Sequence, residues 1–99
     1  MEKQTEKRRL ERRDFPFPVL VEVSEEEIGS FESVQSRGRG IDISSQGIGV
    51  VMDKYMDPGQ IVKLFVPVGT PETLISSFSE VRWVEKSNGR YRVGLSFIL

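Results

Sequence analysis

The residues best suited to chemistry lie in two short stretches. The first holds Arg8, Arg9, Arg12 and Arg13. A guanidinium fork binds phosphate oxygens in pairs, reads the O6/N7 edge of guanine and stacks on flat rings. Arg8 and Arg12 are four apart, as are Arg9 and Arg13. Each pair would share a face of a helical turn, whereas an extended arm would spread the four along a groove. The second stretch is Asp42-Ile43-Ser44-Ser45-Gln46-Gly47. If Ile41 and Ile43 point to one side of a strand, Asp42 and Ser44 point to the other. The Asp42 carboxylate accepts hydrogen bonds from N–H groups, the N1 and N2 donors of guanine among them. Ser44 offers a hydroxyl to a ligand or to the turn itself. Gly47 supplies a left-handed or close-approach backbone position. Each stretch also has a plain reading: a solvated tail for the first, a turn that merely joins two strands for the second. Alone, a D-x-S-x-x-G string carries little information.

Composition narrows the classes of function. The chain has 99 residues, no cysteine and no histidine. Disulfides, thiolate metal sites and cysteine nucleophiles are thereby excluded, as are the commonest general base and metal ligand. Catalysis would need paired carboxylates, a serine–lysine dyad or a carboxylate-held metal. The one acidic run, Glu25-Glu26-Glu27, is consecutive, so its side chains diverge. The expectation is a binding module, not an enzyme, with no metal. The net charge is −1, but it is unevenly placed: residues 1–13 carry six basic and three acidic side chains, the remainder eight and twelve. A basic arm on an acidic body is one mark of an anion-binding tail. No apolar run approaches membrane-spanning length, and the charged N-terminus does not read as a secretory signal. The expected location is cytoplasmic, without membrane insertion.

These residues must be held by strands. Asp14-Phe15-Pro16-Phe17-Pro18 breaks any helix, since each proline disfavours helical geometry in the residue before it. Val19 to Val23 reads as a strand with Val19, Val21 and Val23 on one face. Ser24 to Glu27 reads as an acidic turn. Gly38 to Ile43 and Ile48 to Met52 read as strands on either side of the Ser44–Gly47 turn. Asp57-Pro58-Gly59 is a turn signal, and Gln60 to Pro67 a strand offering Ile61, Leu64 and Val66 to a core. Gly69 to Glu72 reads as a loop and Leu74 to Val84 as a long strand. Ser87-Asn88-Gly89 is a hairpin turn, and Arg90 to Phe97 a final strand with Tyr91, Val93, Leu95 and Phe97 on one face. Phe15, Phe17, Phe31, Phe65, Phe78 and Phe97 are core candidates. Trp83 reads as packing at a barrel rim. Arg37 and Arg39 either are solvated or add positive potential near a ligand. Six or seven strands without a long helix predict a closed or curled sheet.

The order and spacing of these elements resemble the PilZ family. Lys7-Arg8-Arg9-Leu10-Glu11-Arg12 looks like the family's R-x-x-x-R motif. About thirty residues on, Asp42, Ser44 and Gly47 match its D-x-S-x-x-G motif, followed by Ile48-Gly49-Val50. Val81-Arg82-Trp83-Val84 and Val93-Gly94-Leu95-Ser96-Phe97 resemble its closing strands. Both arginine registers fit; Arg8 and Arg12 stand at the family's usual distance from Pro18-Val19, which leaves Arg9 and Arg13 as helpers. The resemblance implies an all-β fold, a six-stranded antiparallel β-barrel over residues 15–99 with a flexible arginine-rich arm at residues 1–14. It also implies a ligand, the bacterial second messenger cyclic di-GMP. Arg8, Arg9, Arg12 and Arg13 would then meet its phosphates and guanine edges. Asp42 would accept from a guanine, with Ser44 and Gly47 completing the pocket. The arm would order on binding and report to a downstream protein. Two other readings stand beside this one: a PilZ-like interaction module without nucleotide binding, and a small barrel for single-stranded nucleic acid. The acidic body speaks against the latter.

Overall fold

A computed structural model of the chain describes residues 11–27 and 30–98. They form seven strands: β1 (Arg13–Asp14), β2 (Pro18–Glu27), β3 (Ser30–Ile43), β4 (Gly47–Met52), β5 (Ile61–Val68), β6 (Thr70–Ser87) and β7 (Arg90–Phe97). No helix occurs among the described residues. Every pairing is antiparallel, in the order β1-β3-β2-β5-β6-β7-β4. An additional β3–β4 pairing closes the sheet, so β2 to β7 make a six-stranded barrel and β1 is a short seventh strand. Closure removes the open edges that a free sheet would present.

The prolines decide how the N-terminal segment reaches the barrel. β1 and β2 pair with successive stretches of β3, Asp14 opposite Asp42 and Pro18 opposite Arg39. Pro16 and Pro18 cannot donate to the ladder. The segment between the strands holds on through the remaining groups: Phe15 N donates to Ile41 O at 2.9 Å, and Gly40 N donates to Phe17 O at 2.8 Å.

Period-two alternation builds the core. Val19, Val21 and Val23 of β2, Ile48, Val50 and Met52 of β4, and Val62, Leu64 and Val66 of β5 are buried, with Val81, Val93, Leu95 and Met56. A narrow barrel interior suits such branched side chains. The aromatic rings stay at its margins. Phe15, Tyr91 and Phe97 pack against the core from its rim, and Phe65 is half-buried. Phe17 and Phe78 are exposed, against the expectation that they fill the core. Phe78 adjoins the buried Ser79, so strand alternation turns its ring outward. The same parity exposes Ile61 and buries Val62 in its place. The side chain of Phe31 lies outside those described.

Two expected turns are strand instead. β2 runs through Glu27, with Glu25 opposite Glu32 and Glu27 opposite Ser30. The backbone ladder to β3, rather than the acidic composition, sets the conformation. The loop expected over Gly69 to Glu72 contracts to Gly69, which has a φ of 75°, before β6 starts at Thr70. The Asn88-Gly89 hairpin turn is as expected: both residues have positive φ, 52° and 76°, the geometry of a type I′ turn.

Candidate functional site

Two β-bulges shape the outer surface of the barrel. In β3 the register slips between Gly40 and Asp42, so Ile41 is an extra residue opposite β4. In β6 it slips between Val81 and Trp83, with Arg82 the extra residue. Bulges re-aim side chains and occur often beside functional sites. Here they bring one cross-strand row into line: Asp14, Asp42, Gly49, Gly94 and Trp83, running over β1, β3, β4, β7 and β6. The first bulge also puts Ile41 beside Asp42, contrary to the simple alternation with Ile43; Ile43 packs on the core instead.

The two central glycines make this row a depression. A Cβ on Gly49 would lie 2.7 Å from Asp42 Oδ1, and one on Gly94 would overlap the Trp83 indole. Both side chains therefore lie across bare backbone. Arg12, Ile41, Asp42, Gly49, Trp83 and Arg92 line the resulting hollow of about 260 Å³. Arg12 Nη2 donates to Asp42 Oδ1 at 2.9 Å, with the two side chains 47% and 33% exposed. Across the floor, Arg92 stands 3.9 Å from Glu85, and Trp83 is about half exposed. The hollow thus offers two guanidinium forks, one carboxylate and one indole face around a flat floor. That set suits a planar, anionic group: a ring stacks on the indole, its N–H edge meets the carboxylate, and its phosphate meets the guanidinium. Ligand clefts usually span about 300–1,000 Å³, so the hollow seats one flat ring system rather than a whole dinucleotide.

The expected site residues fall into three groups. Arg12 and Asp42, thirty residues apart in sequence, are brought into contact. Arg13, Ser44 and Gly47 do not line the hollow. Arg13 is exposed opposite Ile43. Ser44 Oγ accepts from Gln46 N at 3.1 Å, and Ser44 N donates to Gly47 O at 2.9 Å, so the serine serves its own turn. Gly47 is buried where a Cβ would overlap Leu95 O; of its two expected roles it has close approach. Arg8 and Arg9 lie outside the described residues. Arg39 shares a cross-strand row with Val51 and Arg92, close to the hollow. Arg37 lies elsewhere, opposite Leu20 on β2.

The sequence reading missed Gly49, Trp83 and Arg92. A signal was present: Gly49 and Gly94 are strand-interior glycines, and such glycines often mark a bulge or a close approach. Among the described residues no group of three or more acidic, His or Cys side chains is placed to hold a metal ion. No helix among them is long and apolar enough to cross a membrane. A family model described as PilZ domain matches residues 6–99, nearly the whole chain. Comparison with curated proteins finds no match, nor does comparison with solved structures.

Proposed function

The chain belongs to the PilZ domain family, a family of binding and adaptor modules, and we propose that it binds cyclic di-GMP in the hollow between Arg12–Asp42 and Trp83. The observation that carries the reading is the Arg12–Asp42 contact at 2.9 Å. It joins the arginine motif to the D-x-S-x-x-G motif beside Gly49 and the Trp83 indole, which lies over Gly94.

In this reading one guanine stacks on the Trp83 indole beside Gly49. Asp42 accepts hydrogen bonds from its N–H edge, and Arg12 and Arg92 face a phosphate. Arg8 and Arg9 would supply the remaining cationic contacts from the arm, residues 1–14, to a ligand on the barrel, residues 15–99; Arg13, held in β1 opposite Ile43, would join them only if β1 lets go of β3. Ser44 and Gly47 act indirectly, by fixing the turn that follows Asp42. Arg12 must loosen its bond to Asp42 when the ligand arrives, because both groups then have new partners. That exchange is the step that moves the arm and relays occupancy to a downstream protein.

Calorimetric titration with cyclic di-GMP tests the reading. Arg12→Ala and Asp42→Ala should each weaken binding by about 1.5–3 kcal/mol, the range for a hydrogen bond to a charged group. Wild-type affinity in both variants would refute the site, and a wild-type blank would refute the ligand.

A further inference from the structure

A second and larger concavity, about 560 Å³, lies away from the ligand hollow. Phe15, Phe17 and Pro18 form one wall, Pro67 and Leu74 of the β5–β6 hairpin the other, and Leu20 and Phe65 its base. Phe17 and Leu74 are each about half exposed, and Phe15 and Phe17 pack edge to face at 4.9 Å. An apolar concavity with exposed rims is the shape in which a partner's apolar side chain is buried.

Charge indicates what would cover it. Arg37 lines the groove and has no ion-pair partner among the described residues. Lys63 borders the same face, its ammonium 5.4 Å from the Phe65 ring centre and 5.9 Å from that of Phe78. Arg37 is therefore the cation that lines the apolar trough, while Lys63 stands beyond Phe65 and opposite Glu22 of β2. The surrounding body is acidic, with eight basic and twelve acidic side chains beyond residue 13. Such a body disfavours polyanionic partners, yet Arg37 attracts a carboxylate that arrives next to apolar side chains.

The trough is also tied to the ligand hollow. Phe15 follows Arg12 by three residues, and its backbone N donates to Ile41 O, the bulge residue beside Asp42. Phe17 O accepts from Gly40 N. A shift of Arg12 away from Asp42 would thus be transmitted over one short, hydrogen-bonded segment to the trough's own wall.

We propose that the trough of Phe17, Leu20, Phe65 and Leu74 is the docking site for a protein segment that presents bulky apolar side chains flanked by carboxylates. Its affinity for that segment changes when the ligand hollow fills. Only the second statement rests on the proposed ligand binding.

Fluorescein-labelled twelve-residue peptides provide the probe, with leucines at strand or helix spacing and the intervening positions all Glu, all Gln or all Lys. Anisotropy is read against the full chain, with and without cyclic di-GMP. The Glu peptides should bind best and the Lys peptides least. Leu74→Glu should weaken the Glu peptides by about tenfold or more, the loss of an interface anchor. Arg37→Glu should reverse the charge preference. Cyclic di-GMP should bind Leu74→Glu as it binds wild type. Equal binding of all three peptide classes, or no binding, would overturn the docking proposal. So would indifference to Leu74→Glu, or self-association that Leu74→Glu abolishes, since the occupant would then be a second copy. Peptide affinity unmoved by bound cyclic di-GMP would overturn the coupling alone. A calorimetric blank with intact peptide binding would overturn the ligand reading and leave the docking site standing.

Discussion

Replacing Gly94 by alanine separates the fold from the proposed ligand hollow. The new methyl group would overlap Nε1 and Cε2 of Trp83 and lie 2.8 Å from Cζ2. Carbon atoms settle at about 3.5–4.0 Å, so the indole must withdraw by roughly 1 Å or swing away. Trp83 is about half exposed, which leaves it room to move outward. Alanine also restricts the unfolded chain more than glycine does, an offsetting gain of about 0.5–1 kcal/mol. Net stability should therefore change by no more than about 1 kcal/mol. Ligand binding should respond far more. Stacking of a base on an aromatic ring is worth about 1–3 kcal/mol, so its loss lowers affinity roughly 5- to 150-fold. Trp83 is the only tryptophan, so its emission reports the displacement directly: it should shift to the red and become more open to iodide quenching. Calorimetry with cyclic di-GMP supplies the affinity. Adding Gly94→Ala to Trp83→Ala should cause little further loss, because both remove the same contact. A folded Gly94→Ala protein with wild-type emission and wild-type affinity would refute the placement of the indole on Gly94 and its role in the site.

Other substitutions probe the barrel and the motif contact. In Gly47→Ala the Cβ would meet the backbone of Leu95, its oxygen and its carbon at 3.1 Å, which cannot swing aside; the variant should lose about 1–3 kcal/mol, seen as a lower thermal midpoint by circular dichroism. The hydroxyl of Ser79 is buried without a hydrogen-bond partner, so Ser79→Ala should raise stability by about 1 kcal/mol in chemical denaturation. A double-mutant cycle on Arg12 and Asp42 in the absence of ligand should give a coupling of only about 0.2–1 kcal/mol, as expected for a half-exposed ion pair. A larger value would mean that the contact is mainly structural.

The strands were legible where a single physical rule decides them. Val19, Val21 and Val23 alternate in the sequence and are buried in the barrel, and Asn88-Gly89 fixes its hairpin through positive φ. Rules that use residue type without position misled. Phe17 and Phe78 are apolar, yet strand parity and the rim position leave them exposed. Glu25 to Glu27 are acidic, yet they continue β2 because their backbone pairs with β3. The bulges at Ile41 and Arg82 depend on how distant strands register, and no local string of residues encodes that. The site divides the same way. Arg12 and Asp42 were visible as motifs, whereas Trp83 and Arg92 join them only through pairings of β4 with β7 and of β7 with β6.

The two stretches that opened the sequence reading turn out to be unequal partners. Asp42 is set on a closed barrel by a bulge and by a turn that Ser44 and Gly47 stabilise, so its position is fixed before any ligand arrives. Arg12 reaches it from a segment anchored by two residues of β1 and by the bonds of Phe15 and Phe17. A contact between a fixed carboxylate and a loosely held arginine, worth at most about 1 kcal/mol at this exposure, is easily exchanged. A phosphate or guanine that offers Arg12 a charge-assisted bond of about 1.5–3 kcal/mol can displace it. The same segment carries Phe15 and Phe17, the aromatic wall of the apolar trough. If the barrel binds cyclic di-GMP as proposed, the weakness of the Arg12–Asp42 pair is what would let it convert ligand binding into a changed protein surface.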